Sequence, residues 1–456
     1  MYGKITNITN ILAYICCAAF VFLIPFGWQS ANYILGSFAL FAVMNPKLYQ
    51  NFKTTKLSFG EKAVLAVTAA YILWEIVTFL WSFNLSRGVT MITRHLPLFA
   101  MPCLLVLAKI GGIIKRPGVI MQIFCLGVIV SMILCLILSY RDSFYYLWGE
   151  KVFNHCLPDY RTRGTFEAIS SGFSYFSYSN LSHFVNPHYF GLYINVLIMT
   201  AYMKFYDYRF KPLPVILLSL LILFCMVFLF MLCNRANYIV FALLATIVVV
   251  YEFFVKKHKA VGIAGLIGLA ILMALVFGTG RGYDIVHKVT RAVVEGQDIQ
   301  ADEEHTKEEK LEGVNSRAIT WSSAMHLIAK HPVLGSGIGD TEEALIGQYY
   351  IDGYLETAEM ALNCHNQYLD SWIGCGIPGL LILLCFLVVP IAAGLRYNYL
   401  PLILYAVAIT VGFITEVMFT RSTGCFTSSF LMMLLIMCAL ERRNTSATKK
   451  ISEVDI

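Results

Sequence analysis

Nine residues carry side chains that can do chemistry in places where such groups are costly or oddly grouped. They are Glu75, Arg87, Arg94, Arg235, Arg317, His331, His365, Asp370 and Glu416. A histidine titrates near neutral pH and can take a proton from a hydroxyl. A carboxylate can orient such an imidazole or hold hydroxyl groups. An arginine stays charged, and its planar fork binds an anion through two parallel hydrogen bonds. The densest group is His365-Asn366-Gln367-Tyr368-Leu369-Asp370-Ser371-Trp372-Ile373-Gly374-Cys375-Gly376-Ile377-Pro378-Gly379. It reads as His-Asn, nine residues, Gly, two residues, Gly. Asp370 can cap a helix start, and His331 before Pro332 can end one.

The elements that must position these residues lie in lipid. The chain has 456 residues, 58% hydrophobic and only 14% charged, with a mean hydropathy of +0.69. Soluble chains run nearer about 45–50% apolar and about 25% charged. That excludes a soluble enzyme and a disordered protein and leaves an all-α polytopic membrane protein. Period-two alternation is missing, which disfavours a barrel. Twelve apolar segments read as spans: 8–27, 30–44, 60–81, 91–108, 118–140, 187–203, 212–232, 236–255, 260–277, 366–394, 400–419 and 424–440. The first lacks a small-residue cleavage site and reads as a retained span.

Lys and Arg set the orientation. With the N-terminus cytoplasmic, 19 of the 34 basic residues fall on cytoplasmic stretches. The short outside loops then hold only Arg87, Arg94, Arg235 and Arg421. Both termini are expected inside. The organisation is 1–277 with nine spans and an outer loop at 141–186, a large outer loop at 278–365, three spans over 366–440, and a tail at 441–456. The large loop carries 15 acids against 7 bases, so any anion site in it must be local. Its acidic stretch 298–312 reads as a solvated segment. A helix is then expected from about Arg317 to Lys330, capped by Asn315 or Ser316, with Ala318, Trp321, Met325 and Ile328 as its apolar stripe. The run Gly335-Ser336-Gly337-Ile338-Gly339 reads as a tight turn or a phosphate cradle, and Thr341 as the cap of a second helix. Gly376 and Gly379 suit close helix packing.

Ionisable groups in spans are functional candidates. On this topology Glu75, Arg235, Asp370 and Glu416 all fall near the outer membrane boundary, at the level of Arg87, Arg94 and Arg421. Most of the 13 cysteines lie in apolar runs and read as small hydrophobes. Cys156 and Cys364 lie in the long loops, where they can pair. No CxxC or Asp-x-Asp pattern marks a metal site, and no cofactor is expected.

The His365–Gly379 signature resembles that of the O-antigen ligase and O-antigen polymerase superfamily. Two further blocks agree: Asn315-Ser316-Arg317, Trp321 and His331-Pro332-Val333-Leu334-Gly335-Ser336-Gly337, and Asn234-Arg235-Ala236. Weaker echoes are Trp81-Ser82 before Arg87, and Asn186-Pro187-His188. The resemblance implies a GT-C-like membrane fold in the bacterial inner membrane, with its active site facing the periplasm. It implies transfer of a glycan from a polyprenyl-diphosphate carrier to a hydroxyl of lipopolysaccharide core or another glycan, with no nucleic acid involved. For that chemistry the residue types suit Arg235 and Arg317 to the diphosphate and His365 to the acceptor proton. Glu416, or Asp370, would orient the imidazole, and Arg87, Arg94, Glu75 and His331 would support. Direct displacement with His365 as base implies inversion at the sugar carbon, and arginine in place of a divalent cation fits a reaction without metal. A polymerase and a protein O-oligosaccharyltransferase use the same donor chemistry. A small-solute transporter is the reading from another class; it would favour charges at the midplane.

Overall fold

The computed structural model describes residues 2–27, 31–160, 164–208, 211–259 and 314–454, with short helical pieces between 262 and 270. Most of the ninth expected span, 260–277, and the whole 298–312 segment lie outside the described residues.

The chain is an all-α polytopic membrane protein. In chain order its helices are α1 (Tyr2–Leu23), α2 (Ala31–Val43), α3 (Pro46–Asn51), α4 (Phe59–Thr78), α5 (Leu85–His95), α6 (Pro97–Ile110) and α7 (Pro117–Asp142). After a hairpin of β1 (Phe144–Leu147) and β2 (Glu150–Phe153) come α8 (Thr165–Ser171), α9 (Tyr178–Leu181), α10 (Pro187–Tyr208), α11 (Pro212–Met231) and α12 (Arg235–Val250). The C-terminal part holds α13 (Val314–Lys330), α14 (Thr341–Ile351), α15 (Leu355–Glu359), α16 (Gln367–Tyr397), α17 (Leu400–Thr415) and α18 (Ser422–Val454). Among the described residues, 8 helical stretches are long and apolar enough to cross a membrane, and α2 and α17 are shorter apolar helices. In lipid the backbone must satisfy its own hydrogen bonds, which is why apolar runs become helices here.

Two compact units are present. The first comprises residues 1–10, 42–117 and 291–456, and the second 11–41 and 118–290. In the first, α18 is the central helix: Phe430 through Ala439 are all buried. It packs against α4, α6, α16 and α17. Its polar residues Ser428 and Ser429 return their hydroxyls to Gly424 and Cys425 carbonyls, so they cost little in an apolar interior. Ser58 and Glu61 form a reciprocal cap at the start of α4. The other Glu61 oxygen accepts from Lys109 at 2.5 Å, so the buried carboxylate is paired. In the second unit, Gly127 of α7 lies where a Cβ would be 2.3 Å from the Phe22 carbonyl, so α1 and α7 approach closely. There the Asn237 amide of α12 donates to the Pro187 carbonyl at 3.0 Å.

Three expected elements differ in detail. The 91–108 span divides into α5 and α6 at Leu96, which keeps helical dihedrals (φ −49°, ψ −38°) but is followed by Pro97, which has no N–H for the helical ladder. The 400–419 span stops at Thr415; Glu416 is extended (φ −154°, ψ 147°) and Met418–Thr420 form a 3-10 turn. Glu416 therefore lies past its helix and not within it. Helix α13 begins at Val314, ahead of the expected start, and the capping side chains of Asn315 and Ser316 lie outside the described residues. Its buried face is Thr320, Ser323, Ala324, Leu327 and Ile328, whereas Ala318 and Met325 are exposed. Of the expected stripe Ile328 is buried, while the small Thr320, Ser323 and Ala324 take the place of Ala318 and Met325 and allow close approach.

Candidate active site

The site is assembled where the module of α13, α14 and α15 meets the start of α16 and the end of α17, all within the first unit. A buried cluster of Ala324, Leu327, Ile328, Leu345, Tyr349 and Ala358 continues into Cys364, Ile373 and Val417. Cys364 precedes His365, and Val417 follows Glu416. One apolar core thus fixes the neighbours of both candidate residues. Burying its Leu, Ile and Val side chains stabilises by roughly 1.5–3 kcal/mol each.

His365 Nδ1 lies 3.4 Å from Glu416 Oε2, and both side chains are partly exposed. A carboxylate only accepts, so the pair favours the tautomer with hydrogen on Nδ1. That leaves the lone pair of Nε2, which has no partner among the described residues, able to take a proton. The His365 backbone sits in the left-handed region (φ 45°), and its N–H donates to Asn363 Oδ1 at 2.8 Å. Such a conformation costs roughly 1–3 kcal/mol and persists only where its surroundings impose it.

Arg317 reaches the same place. Its Nη2 donates to the Thr415 carbonyl at 3.4 Å, next to Glu416. One turn along α13, Trp321 Nε1 donates to the Cys364 carbonyl at 2.9 Å, next to His365. Two side chains of one helix therefore hold the two strands of chain that carry the pair.

The start of α16 is capped by Asn366, whose side chain accepts from the Tyr368 and Leu369 N–H groups at 2.9 and 3.2 Å. Asp370, expected as a cap, sits in the first turn instead. It lines a cleft with Asn363, Thr341, Thr420, Arg87 and Glu342. The Gly335–Gly339 run is a turn and not a phosphate cradle, because its donors are taken. Ser336 N–H donates to Ile373 and Gly337 N–H to Gly374, at 2.7 and 3.1 Å, while Gly339 N–H donates to Ser82 Oγ at 3.1 Å. The turn docks where α16 breaks at Gly376 (φ 64°, ψ −168°). A Cβ there would lie 2.1 Å from the Val333 carbonyl oxygen. Gly376 is thus a break for a docked turn, beyond its expected packing role.

The remaining candidates divide. Arg87 pairs with Glu342 in the first turn of α14. Beside it, Asp340 caps nothing and accepts from Phe83 and Asn84 N–H at 2.7 and 2.9 Å; Thr341 Oγ1 donates to Gly337. These bonds latch α14 to the turn before α5. Arg94 is exposed, and its Nη1 lies 3.9 Å from the Met91 sulfur. His331 is exposed at the end of α13, where its N–H donates to Leu327 and Ile328 carbonyls. Arg235 opens α12 in the second unit; its side chain lies outside the described residues. Among the described residues, neither Cys156 nor Cys364 is in a disulfide. Burial pushes the Cys364 thiol well above its ordinary pKa, and its Sγ faces the Asn366 carbonyl at 3.2 Å, so it is an inert packing group.

Glu75 is fully buried against a residue the sequence reading did not select. His95 Nδ1 lies 2.5 Å from Glu75 Oε1, and His95 Nε2 lies 2.8 Å from the Phe419 carbonyl. The available signal was His95 itself, a histidine beside Leu96-Pro97 where an amphipathic helix meets an apolar one. Asn363, Gln367 and Trp321 were also unselected as positioning groups.

Residues 217–384 match the family model described as O-Antigen ligase. The match spans Arg317, the His331–Gly339 turn, His365, Gly376 and Gly379. No curated protein matches the chain. These motifs come together around one His–Glu pair, and over residues 217–384 the chain is similar to the O-antigen ligase family, one of ligase- and polymerase-type glycosyltransferases.

Proposed function

We propose that the protein moves a glycan from a polyprenyl-diphosphate carrier to an acceptor hydroxyl of lipopolysaccharide core, with inversion and without a metal ion. The observation that carries this is His365 Nδ1 held 3.4 Å from Glu416, with Arg317 anchored one residue away at Thr415. The acceptor oxygen attacks the anomeric carbon and gives its proton to His365 Nε2. The bond between that carbon and the diphosphate oxygen breaks, and the leaving diphosphate keeps the electron pair. Glu416 holds the ring and stabilises the imidazolium that forms. Arg317 offsets the charge that grows on the diphosphate, a contribution that is often the largest in catalysis. For Arg235 as a second diphosphate contact, the support is the Asn234-Arg235-Ala236 motif. Asp370 is the other carboxylate proposed to serve the acceptor, from its place in the cleft beside Asn363.

The proposed setting is a bacterial inner membrane, with both termini cytoplasmic and the site facing the periplasm, as the Lys and Arg distribution supports. The polymerase reading keeps one specific support, the sizeable 141–186 segment with its hairpin. Reconstitution with a polyprenyl-diphosphate glycan and a choice of acceptors tests the proposal. Transfer to lipopolysaccharide core is expected. Elongation of carrier-linked glycan would make the protein a polymerase, and transfer to none of the acceptors would contradict the reading.

A further inference from the structure

The Glu75–His95 pair is not part of the chemistry derived above, and it is the most deeply buried ionisable pair among the described residues of the first unit. His95 is 3% exposed and Glu75 0%. The Phe419 carbonyl can only accept, so His95 Nε2 carries a hydrogen. At 2.5 Å from Glu75 Oε1, Nδ1 must share one further proton with the carboxyl, since two facing lone pairs would repel. The second Glu75 oxygen is buried and has no hydrogen-bond partner among the described residues. An ionisable pair buried this deeply within a membrane protein is costly and is a functional candidate.

The purpose is visible at Phe419. Its carbonyl is held by His95, and its N–H donates to Gln367 Oε1 at 2.7 Å. Gln367 is two residues after His365, and its amide donates to Ser371 Oγ at 3.1 Å, which meets the Tyr71 hydroxyl at 2.9 Å. Phe419 is three residues after Glu416, in a segment that has left the helix. The peptide that carries Glu416 is therefore pinned on one side to the peptide that carries His365, and on the other to the buried pair.

We propose that His95 and Glu75 are positioning residues for the His365–Glu416 pair, acting through the Phe419 carbonyl and touching no substrate. This rests on the proposed transfer chemistry. It predicts that their effect passes through Glu416. His95→Ala should lower kcat by about tenfold or more while the donor KM changes little. In a Glu416→Ala background the same change should cost almost nothing further, since residues that act through one another are non-additive. A merely structural residue would lower activity by the same factor in both backgrounds, and that result overturns the proposal. Glu75→Gln should retain transfer within about threefold, because its amide can donate to Nδ1 and keep the ring in place. This variant decides the matter if His95→Ala does not fold: a large loss in Glu75→Gln at normal thermal stability overturns positioning. If Glu416→Ala itself leaves transfer unchanged, the role of Glu416 in the proposed function falls and the positioning role falls with it. If Glu416→Ala lowers transfer and the two losses multiply, only the positioning role falls.

Discussion

His365 and Glu416 lie 51 residues apart in the chain and 3.4 Å apart in space. Each is an ordinary residue type; what distinguishes them is that neighbours on both sides are fixed. Arg317 shares in this, since it both anchors to the Thr415 carbonyl and presents a guanidinium beside the pair. Lysine has a point charge on a flexible stem and cannot reproduce a forked contact to a diphosphate. Arg317→Lys should therefore lower kcat/KM for the lipid-linked donor by about 10- to 100-fold, in line with roughly 1.5–3 kcal/mol for a charged hydrogen bond. Steady-state kinetics with the donor varied would show it. An unchanged kcat/KM would mean that Arg317 serves only to tie α13 to α17.

At the scale of elements, the docking of the His331–Gly339 turn into the break of α16 holds the loop module in place. Gly376 has a backbone conformation that side-chain-bearing residues rarely adopt, and the Val333 carbonyl occupies the space a Cβ would need. Gly376→Ala should destabilise the protein by about 3 kcal/mol or more, from backbone strain and displacement of the turn. Gly347 in α14 has nothing within 4 Å of an added Cβ, so Gly347→Ala should be neutral or stabilise by about 0.5–1 kcal/mol. Thermal unfolding in detergent compares the two. The sequence made the spans legible because lipid imposes long apolar runs on any helix that crosses it. It also made His365, Arg317 and Glu416 legible, because their types are costly or purposeful near a membrane boundary. It hid His95, whose partners Glu75 and Phe419 lie 20 and 324 residues away. It hid the buried face of α13 too, since Thr320, Ser323 and Ala324 are small and polar or nearly so, and only packing against α14 and α16 makes them core. Asp370 and Thr341 were read as caps from their position, yet Asn366 caps α16 and Asp340 spends its carboxylate on Phe83 and Asn84.

At the scale of the whole molecule, the apolar majority of 58% builds the helices, and only a few of the scarce charged residues stand at the candidate site. The first unit alone supplies the His–Glu pair, the anchored arginine, the buried Glu75–His95 pair and the turn that locks α16. A lipid-linked donor suits such a scaffold, because the diphosphate of a polyprenyl carrier sits at headgroup depth, where an arginine near the bilayer surface can meet it. The central claim is that His365 takes the acceptor proton. General-base catalysis is worth about 10²- to 10⁴-fold, so His365→Ala should lose transfer by that factor while the protein inserts, folds and binds the lipid-linked donor as before. The measurement is the rate of glycan transfer in proteoliposomes loaded with polyprenyl-diphosphate glycan and lipopolysaccharide core, for the native protein and for His365→Ala at equal amounts. A fall of about a hundredfold or more with donor binding retained is the predicted result; equal rates in the two proteins would contradict the account.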